Sequence, residues 1–415
     1  MDAQCEEPKK EEVEKRMESN GEAAGGEPRA SLTEKGRGDL PELTQLREKI
    51  NYYDREIIKL LNERMKVCQD IGKAKGRLLA AKKEKSDSKN TKQVYRPVRE
   101  KLVFDKVTRI NASTPGPLTA TAVKAIYSEV MSCSINLQQP TTIGYLGPKA
   151  SYSHQAATNR FGASMLYVAY EDPEKILESV EKGEISYGVM PVENSHEGAE
   201  SNTLDVLQKS MMKIYAEIEI PVVYNLLSDS KKPEHIETIF GSKVLLARCS
   251  KWIRSHLPGA KVVKCHSTEE ACKMVSKSNN SVAVGTQLAG DMFGLSVLSA
   301  SIQDKPTTSR FFVISQVCEP PSGEDKTFVM FSLKDSKGAL YRVLQAFDTE
   351  NVNLSNIESR PSGSRAWDYN FFVRMDGHEQ DLPIRKALER LRGICSYVRV
   401  LGSYPKNIPS NLSGA

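Results

Sequence analysis

The 415-residue chain has little of what several protein classes require. No apolar run approaches the roughly 18 residues that span a bilayer, so no membrane-crossing helix is expected. The first residues, MDAQCEEPKKEEVEKR, have no apolar core and do not read as a secretory signal. The eight cysteines form no CxxC pair and no metal-ligand spacing, and the six histidines are scattered. Zinc patterns are thereby set aside, and the thiols read as reduced in a cytoplasmic protein with no metal and no cofactor. Residues 1–40 almost lack large apolar side chains and carry 7 Lys/Arg against 11 Asp/Glu. They cannot bury enough surface to order themselves and are expected to form a disordered tail.

Positive charge is concentrated in residues 72–109, with 13 Lys/Arg against 4 Asp/Glu. Such a block suits nucleic acid, a membrane surface or small anions, and it also suits a solvated loop. No aromatic residue interleaves the lysines of AAKKEKSDSKNTKQ, which argues against single-strand nucleic acid. Neither nucleic acid nor membrane is expected as a partner. The length suggests two to four domains.

From Leu43 the texture changes. Apolar or small residues fall at Leu43, Leu46, Ile50, Tyr53, Ile57, Leu60, Val67, Ile71, Ala74 and Leu78. Spacings of 3 and 4 predict one long helix to about residue 81 with a heptad seam. Two further helices are expected over 97–111 and 119–138, closing an all-helical unit at Gln139-Pro140. From Thr141 the pattern becomes α/β. TTIGYL, LYVAY, YGVMPV, IEIPVVYNLL, VLLA, KVVKC, SVAVG and RFFVISQV read as short buried strands. After the linker CEPPSGEDK, strands over 327–333, 352–359, 366–375 and 397–403 alternate with helices over 338–350 and 380–392. That β-α-β-β-α-β order is ferredoxin-like.

Arg64 breaks the apolar seam, and a buried arginine is expensive unless paired. Lys75 follows 11 residues later, about three turns on and on nearly the same side. Arg47 lies about 25 Å back along a straight helix and reaches the same small ligand only from an antiparallel partner helix. A structural pairing of Arg64 with Glu63 or Glu100 is the alternative, and periodicity leaves both open. Farther on, the polar run VENSHEG ends what reads as a buried strand. It is either a surface turn or one wall of a cleft. GYLGPKASYSHQAA and TTSRFFVIS place further polar loops at strand ends, as a two-lobed cleft requires.

LREKINYYDREIIKLLNERMKVCQDIGKAK, RPVREKLV and EVMSCSINLQ resemble the three helices of the all-helical chorismate mutases. The resemblance implies an intertwined dimer. It implies Arg47 (from the partner chain), Arg64 and Arg99 as carboxylate ligands, and Lys75 with Gln138 at the ether oxygen. Glu100 and Ser134 would position the hydroxyl and a carboxylate. The interval from Lys75 to Arg99 is about 12 residues longer than that family pattern, through the lysine-rich stretch at 82–92.

GYLGPKASYSHQAA, YGVMPVENSHEGAESNTLD and TTSRFFVIS together resemble the prephenate dehydratase domain, a two-lobed α/β fold like that of periplasmic binding proteins. The resemblance implies Asn194 and Ser309 at the reacting centre. It also implies Ser151, Ser153, Glu193, Ser195, Arg310 and Phe311 around the substrate, with His154 and His196 as lesser candidates. Two departures stand out. Ser309 replaces the usual threonine, and GSKVLLARC replaces a Ser-His-Pro-Gln run, so that Arg248 stands where a glutamine precedes the cysteine.

KDSKGALYRVLQAF and NLSNIESRPSGSRAWDYNFFV resemble the amino-acid-binding ACT domain. Gly338, Ala339 and Leu340, with Glu358, Ser359, Arg360 and Pro361, match its two ligand motifs and imply phenylalanine as an allosteric ligand. A purely structural dimerisation module is the alternative. The expected whole is a multidomain α and α/β protein: tail 1–40, mutase domain 41–139, dehydratase domain 141–317, ACT domain 326–404. Chorismate and prephenate are the expected substrates, and a homodimer or homotetramer the expected assembly. An arogenate dehydratase fused to a mutase, or a decayed cleft serving as a regulatory binding module, are the rivals.

Overall fold

The computed structural model describes residues 41–83, 97–195, 198–199, 201–229, 235–333, 336–362 and 368–406. The expected tail 1–40, most of the lysine-rich insertion and His196 lie outside them. The chain divides into two compact units after Leu61. Twelve helices and fifteen strands occur among the described residues. None of these helices is long and apolar enough to cross a membrane.

The heptad pattern forms a single helix, α1 (Pro41–Lys83). Its seam residues Leu46, Ile50, Tyr53, Ile57 and Leu60 are all about half exposed in the single chain. Helices α2 (Pro97–Ser113) and α3 (Ala120–Gln138) pack on each other, with Phe104, Val107, Val123 and Ile135 buried. The Thr119 hydroxyl accepts from the Ala122 N–H and fixes where α3 begins.

Two sheets follow. In the first, β1 (Thr142–Leu146), β2 (Leu166–Tyr170) and β3 (Tyr187–Asn194) are parallel, with α4 (Tyr152–Phe161) and α5 (Pro173–Lys182) as crossovers. Its order is β2-β1-β3-β11-β5, with the short β4 (Gly198–Ala199) on β3 and then α6 (Ser201–Leu207). The chain leaves this lobe after β5 (Lys213–Val222) and returns with β11 (Thr307–Ser315), which runs antiparallel to both β3 and β5. Between lies the second lobe, ordered β10-β6-β9-β7-β8. It comprises β6 (Asn225–Ser228), β7 (Thr238–Ser242), α7 (Lys243–Arg248), α8 (Ser250–His256), β8 (Lys261–Cys265), α9 (Thr268–Val275), β9 (Ser281–Gly285), α10 (Gln287–Phe293) and β10 (Ser296–Ser299). The two sequence crossings between lobes create a cleft.

Two expected strands differ. IEIPVVYNLL is two strands, β5 and β6, because the chain changes lobe at residues 223–224. There the Tyr152 hydroxyl binds the Val223 carbonyl at 2.7 Å and Gln303 accepts from the Tyr224 N–H at 3.0 Å. VLLA is helical. Ser242 caps α7 by accepting from the Leu245 N–H, and the strand at this point is the preceding TIFGS. A four-residue apolar run carries no period that separates strand from helix.

The last unit is β12 (Asp325–Ser332), α11 (Ala339–Thr349), β13 (Leu354–Pro361), β14 (Tyr369–Asp376), α12 (Leu382–Ile394) and β15 (Tyr397–Pro405). Its antiparallel sheet runs β13-β14-β12-β15, the ferredoxin-like arrangement. One face packs under α11 and α12 through Val329, Phe331, Val343, Phe347 and Leu391. The other shares a core with the first lobe, where Phe328, Phe372, Leu401 and Tyr404 meet Met190, Val192 and Phe312.

Candidate active sites

Along the helical groove, glycine at position 72 decides how closely α1 and α3 approach. A Cβ there would stand 2.7 Å from the Gln138 carbonyl oxygen. One turn later Lys75 Nζ donates to Gln138 Oε1 at 2.8 Å, and Gln138 Nε2 donates to the Ser134 carbonyl at 3.2 Å. Arg64 donates to the Ser134 hydroxyl, which in turn donates to the Val130 carbonyl. Arg64, Lys75, Ser134 and Gln138 are thus brought together. Arg64 bonds to a hydroxyl rather than to Glu63 or Glu100. Arg99 is exposed, and Arg47 lies in the other compact unit.

Glu100 is placed differently from the expectation that it points at this groove. It is almost fully buried and bound at 2.5 Å to Arg160 of α4, itself buried. Burial pushes the Glu100 carboxyl up to about 8 and the Arg160 guanidinium down to about 9.

The second site lies in the cleft. Ser309 and Asn194 face each other across β11 and β3, and Asn194 Nδ2 donates to Ser309 Oγ at 3.0 Å. Both are nearly buried. By accepting this bond, Ser309 keeps its own O–H as a donor. Asn194 lines a cavity of about 320 Å³ together with Tyr224, Arg248, Lys251, Gln303, Asp304, Lys305 and Thr307. That volume suits a small molecule. Arg248 donates to the Tyr224 hydroxyl at 2.8 Å. Asp304 is committed to capping α8 through the Lys251 and Trp252 N–H groups. Three cations on the lining therefore face one spent carboxylate, a field suited to an anionic substrate.

The remaining expected residues take several places. Ser195 accepts from the Thr308 N–H at 3.0 Å and ties the two strand ends. Ser151 caps α4, and Ser153 is buried in its first turn. Phe311 is a core residue among Tyr145, Val189 and Tyr215, so it supports the sheet rather than touching substrate. His154 is buried as well. Its Nδ1 accepts from the Ala150 N–H, its ring stacks on Tyr145, and burial with the nearby Lys149 charge lowers its pKa. Glu193 and Arg310 are corrected most. They bind each other and join Glu217, Glu219, Lys326 and Arg374 in an ion cluster on the face away from the cleft. Burial opposes ionisation of Glu193, yet hydrogen bonds and charge from Arg374 and Arg310 hold its carboxyl below the usual range.

In the last unit, Gly338 adopts φ +75° and starts α11, with Ala339 and Leu340 in its first turn. Glu358, Ser359, Arg360 and Pro361 lie on edge strand β13. Arg360 reaches Asp205 of α6 through two bonds of 3.1 and 3.3 Å. Sequence reasoning missed Tyr224, Gln303, Asp304 and Lys305, which come from the lobe crossings and carry no motif. It also missed Arg160, Asp205 and Arg374, whose partners lie 60 or more positions away.

Comparison with known proteins agrees with this organisation. Family profiles match residues 46–139 (Chorismate mutase type II), 143–319 (Prephenate dehydratase) and 327–393 (ACT domain). The bifunctional chorismate mutase/prephenate dehydratase of Aquifex aeolicus (strain VF5) is 38% identical over 369 residues, covering 88% of this chain and 99% of the relative. The chain belongs to the bifunctional chorismate mutase/prephenate dehydratase family. The family member from Stutzerimonas stutzeri is 34% identical, covering 89% of this chain and 99% of its own. Among solved structures, prephenate dehydratase from Arthrobacter aurescens, in complex with L-Phe, is 31% identical with a TM-score of 0.58. It covers 64% of this family member and 90% of that chain.

Proposed function

We propose that the chain performs two successive steps of phenylalanine synthesis and is inhibited by their downstream product. Domain 41–139 rearranges chorismate to prephenate, domain 141–317 converts prephenate to phenylpyruvate, and domain 326–404 binds phenylalanine. The observation that carries the reading is the Asn194–Ser309 pair in a cation-lined cleft, on the same chain as the Arg64, Lys75, Ser134 and Gln138 cluster.

The chemistry needs what these groups offer. The mutase reaction uses no nucleophile. Arg64, Arg99 and the partner's Arg47 hold the dianion in a compact conformer, while Lys75 and Gln138 stabilise charge on the ether oxygen. In the cleft, the bond to the ring carboxylate breaks, its electron pair enters the ring, and hydroxide leaves from the opposite carbon. Ser309 donates a hydrogen bond toward the departing oxygen and Asn194 orients Ser309. Carbon dioxide and an aromatic ring result, and the released hydroxide takes a proton from solvent to become water.

The exposed α1 seam supports a homodimer whose mutase sites are shared, because it leaves a heptad stripe for a second copy. The seven described cysteines are free thiols, in keeping with a cytoplasmic setting. Phenylalanine is assigned to the Gly338–Leu340 and Glu358–Pro361 motifs.

Kinetics on the separate steps tests this. Arg64→Ala is expected to lower prephenate formation by about a hundredfold or more and to spare turnover of added prephenate; Ser309→Ala is expected to do the reverse. Mixing Arg64→Ala with Arg47→Ala chains is expected to restore mutase activity through hybrid dimers that hold one intact site. Equal loss of both activities in either variant would sink the separate-site reading, and no recovery on mixing would sink the shared one.

A further inference from the structure

The strand that carries Asn194 contains a bulge, and the bulge sorts its last residues onto opposite faces. Arg310 is opposite Glu193 and Phe311 opposite Pro191, which leaves Val192 without a register partner on β11. An extra residue in one strand re-aims the side chains that follow. Asn194 and Ser309 therefore meet on the cleft face, and Glu193 and Arg310 meet on the other. Each catalytic residue is one peptide unit from a member of the ion cluster.

That cluster is closed by the ACT sheet. Arg374 of β14 is almost fully buried. Its Nη2 donates to Glu193 at 3.0 Å, and its Nε stands 3.3 Å from Glu217 of β5. The second contact is electrostatic rather than an aligned hydrogen bond. Tyr404 of β15 donates to Glu217 at 3.0 Å. Contact between the sheets is tight, because a Cβ on Gly402 would stand 2.1 Å from the Ile214 carbonyl oxygen of β5. Arg374 thus bridges carboxylates on two strands that flank β11, one on each side, from a rigid support outside the dehydratase lobes.

We propose that Arg374 is a positioning residue of the dehydratase centre: by holding Glu193 and Glu217 it fixes the backbone that sets Asn194 against Ser309. The proposal rests on the assignment of Asn194 and Ser309 to the reacting centre. A planar guanidinium that spans two carboxylates is not replaced by a point charge, so lysine restores one contact and not both. Small displacements far from the chemistry lower kcat by about ten- to a hundredfold when geometry is what the site supplies.

The test compares Arg374→Leu, Arg374→Lys, Glu193→Gln and the double variant Arg374→Leu/Glu193→Gln in the full chain, with prephenate and chorismate as separate substrates. Expected for Arg374→Leu is a fall in dehydratase kcat of about tenfold or more, with KM within about threefold and mutase activity unchanged. Arg374→Lys recovers part of kcat. The double variant is no worse than Arg374→Leu within about twofold, because both act through one contact. Unchanged kcat, a parallel loss of mutase activity, or losses that multiply in the double variant would overturn the role of Arg374. Should Arg374→Leu not accumulate as folded chain, Arg374→Lys, Glu193→Gln and their combination make the same comparison. Ser309→Ala, run beside them, separates the two ideas. If it leaves turnover intact, the assignment of the centre fails. If it abolishes turnover while Arg374→Leu does not, only the positioning role fails.

Discussion

Arg248 sets the charge that a substrate meets on entering the cleft. Its guanidinium is oriented by the Tyr224 hydroxyl, on the same lining as Lys251 and Lys305. Prephenate has two carboxylates and a neutral keto group. Its amino analogue, arogenate, adds an ammonium, which a cationic wall disfavours. Arg248→Gln is therefore expected to raise KM for prephenate by about tenfold with little change in kcat, and to narrow the preference over arogenate. Steady-state kinetics on both substrates checks this; an unchanged KM and an unchanged preference would remove Arg248 from recognition. The departure GSKVLLARC, which in sequence looks like decay, thus keeps a polar group where the cavity needs one. Asn194 and Ser309 were named through the family resemblance, while the polar run ending β3 by itself left a surface turn and a cleft wall open; the structure sets the two side chains against each other. The faces of Glu193 and Arg310 were not legible, because a bulge at Val192 reverses a period-2 reading and leaves no mark in the sequence.

Among the elements, α1 was the most legible, since 3.6-residue periodicity over ten turns admits no other reading. The approach of α1 to α3 was not, because it turns on one missing side chain. Gly72→Ala tests it with opposing expectations. Alanine favours an isolated helix by about 1 kcal/mol over glycine. Here its Cβ would press on the Gln138 backbone, at 2.7 Å from the carbonyl oxygen and 2.9 Å from Cα. Backbone cannot swing aside as a side chain can, so the helices separate and the 2.8 Å bond from Lys75 to Gln138 is lost. Mutase activity is expected to fall by about tenfold or more while prephenate turnover persists. A fully active Gly72→Ala chain would show that the groove tolerates the shift. The second lobe shows the opposite limit. Within it α7 was read as a strand in VLLA, because four apolar residues do not reveal a period, and the strand β7 just before it, TIFGS, was not read.

Across the whole molecule, the sensor motif and the catalytic lobe are held together where neither sequence motif shows it. Arg360, one of the residues assigned to phenylalanine, grips Asp205 of α6, and one turn later Gln208 accepts from Asn370 of β14. Helix α6 follows β3, the strand of Asn194, through the loop that gave the sequence its polar run. A ligand at Arg360 that changes this grip changes the equilibrium of the lobe, and linkage requires that prephenate in the cleft change phenylalanine affinity by the same factor. Asp205→Asn tests the route without altering any group assigned to either ligand. It preserves volume and removes the charge that faces Arg360. Uninhibited turnover is expected to stay close to the parent, and the phenylalanine concentration for half inhibition to shift by about fivefold or more. The reciprocal effect is read by titrating phenylalanine calorimetrically with and without a non-reacting prephenate analogue, and the factor between the two affinities is expected to shrink in Asp205→Asn. If inhibition and coupling are both unchanged, the Arg360–Asp205 pair is a structural clasp, and the signal has to cross elsewhere on the shared sheet face.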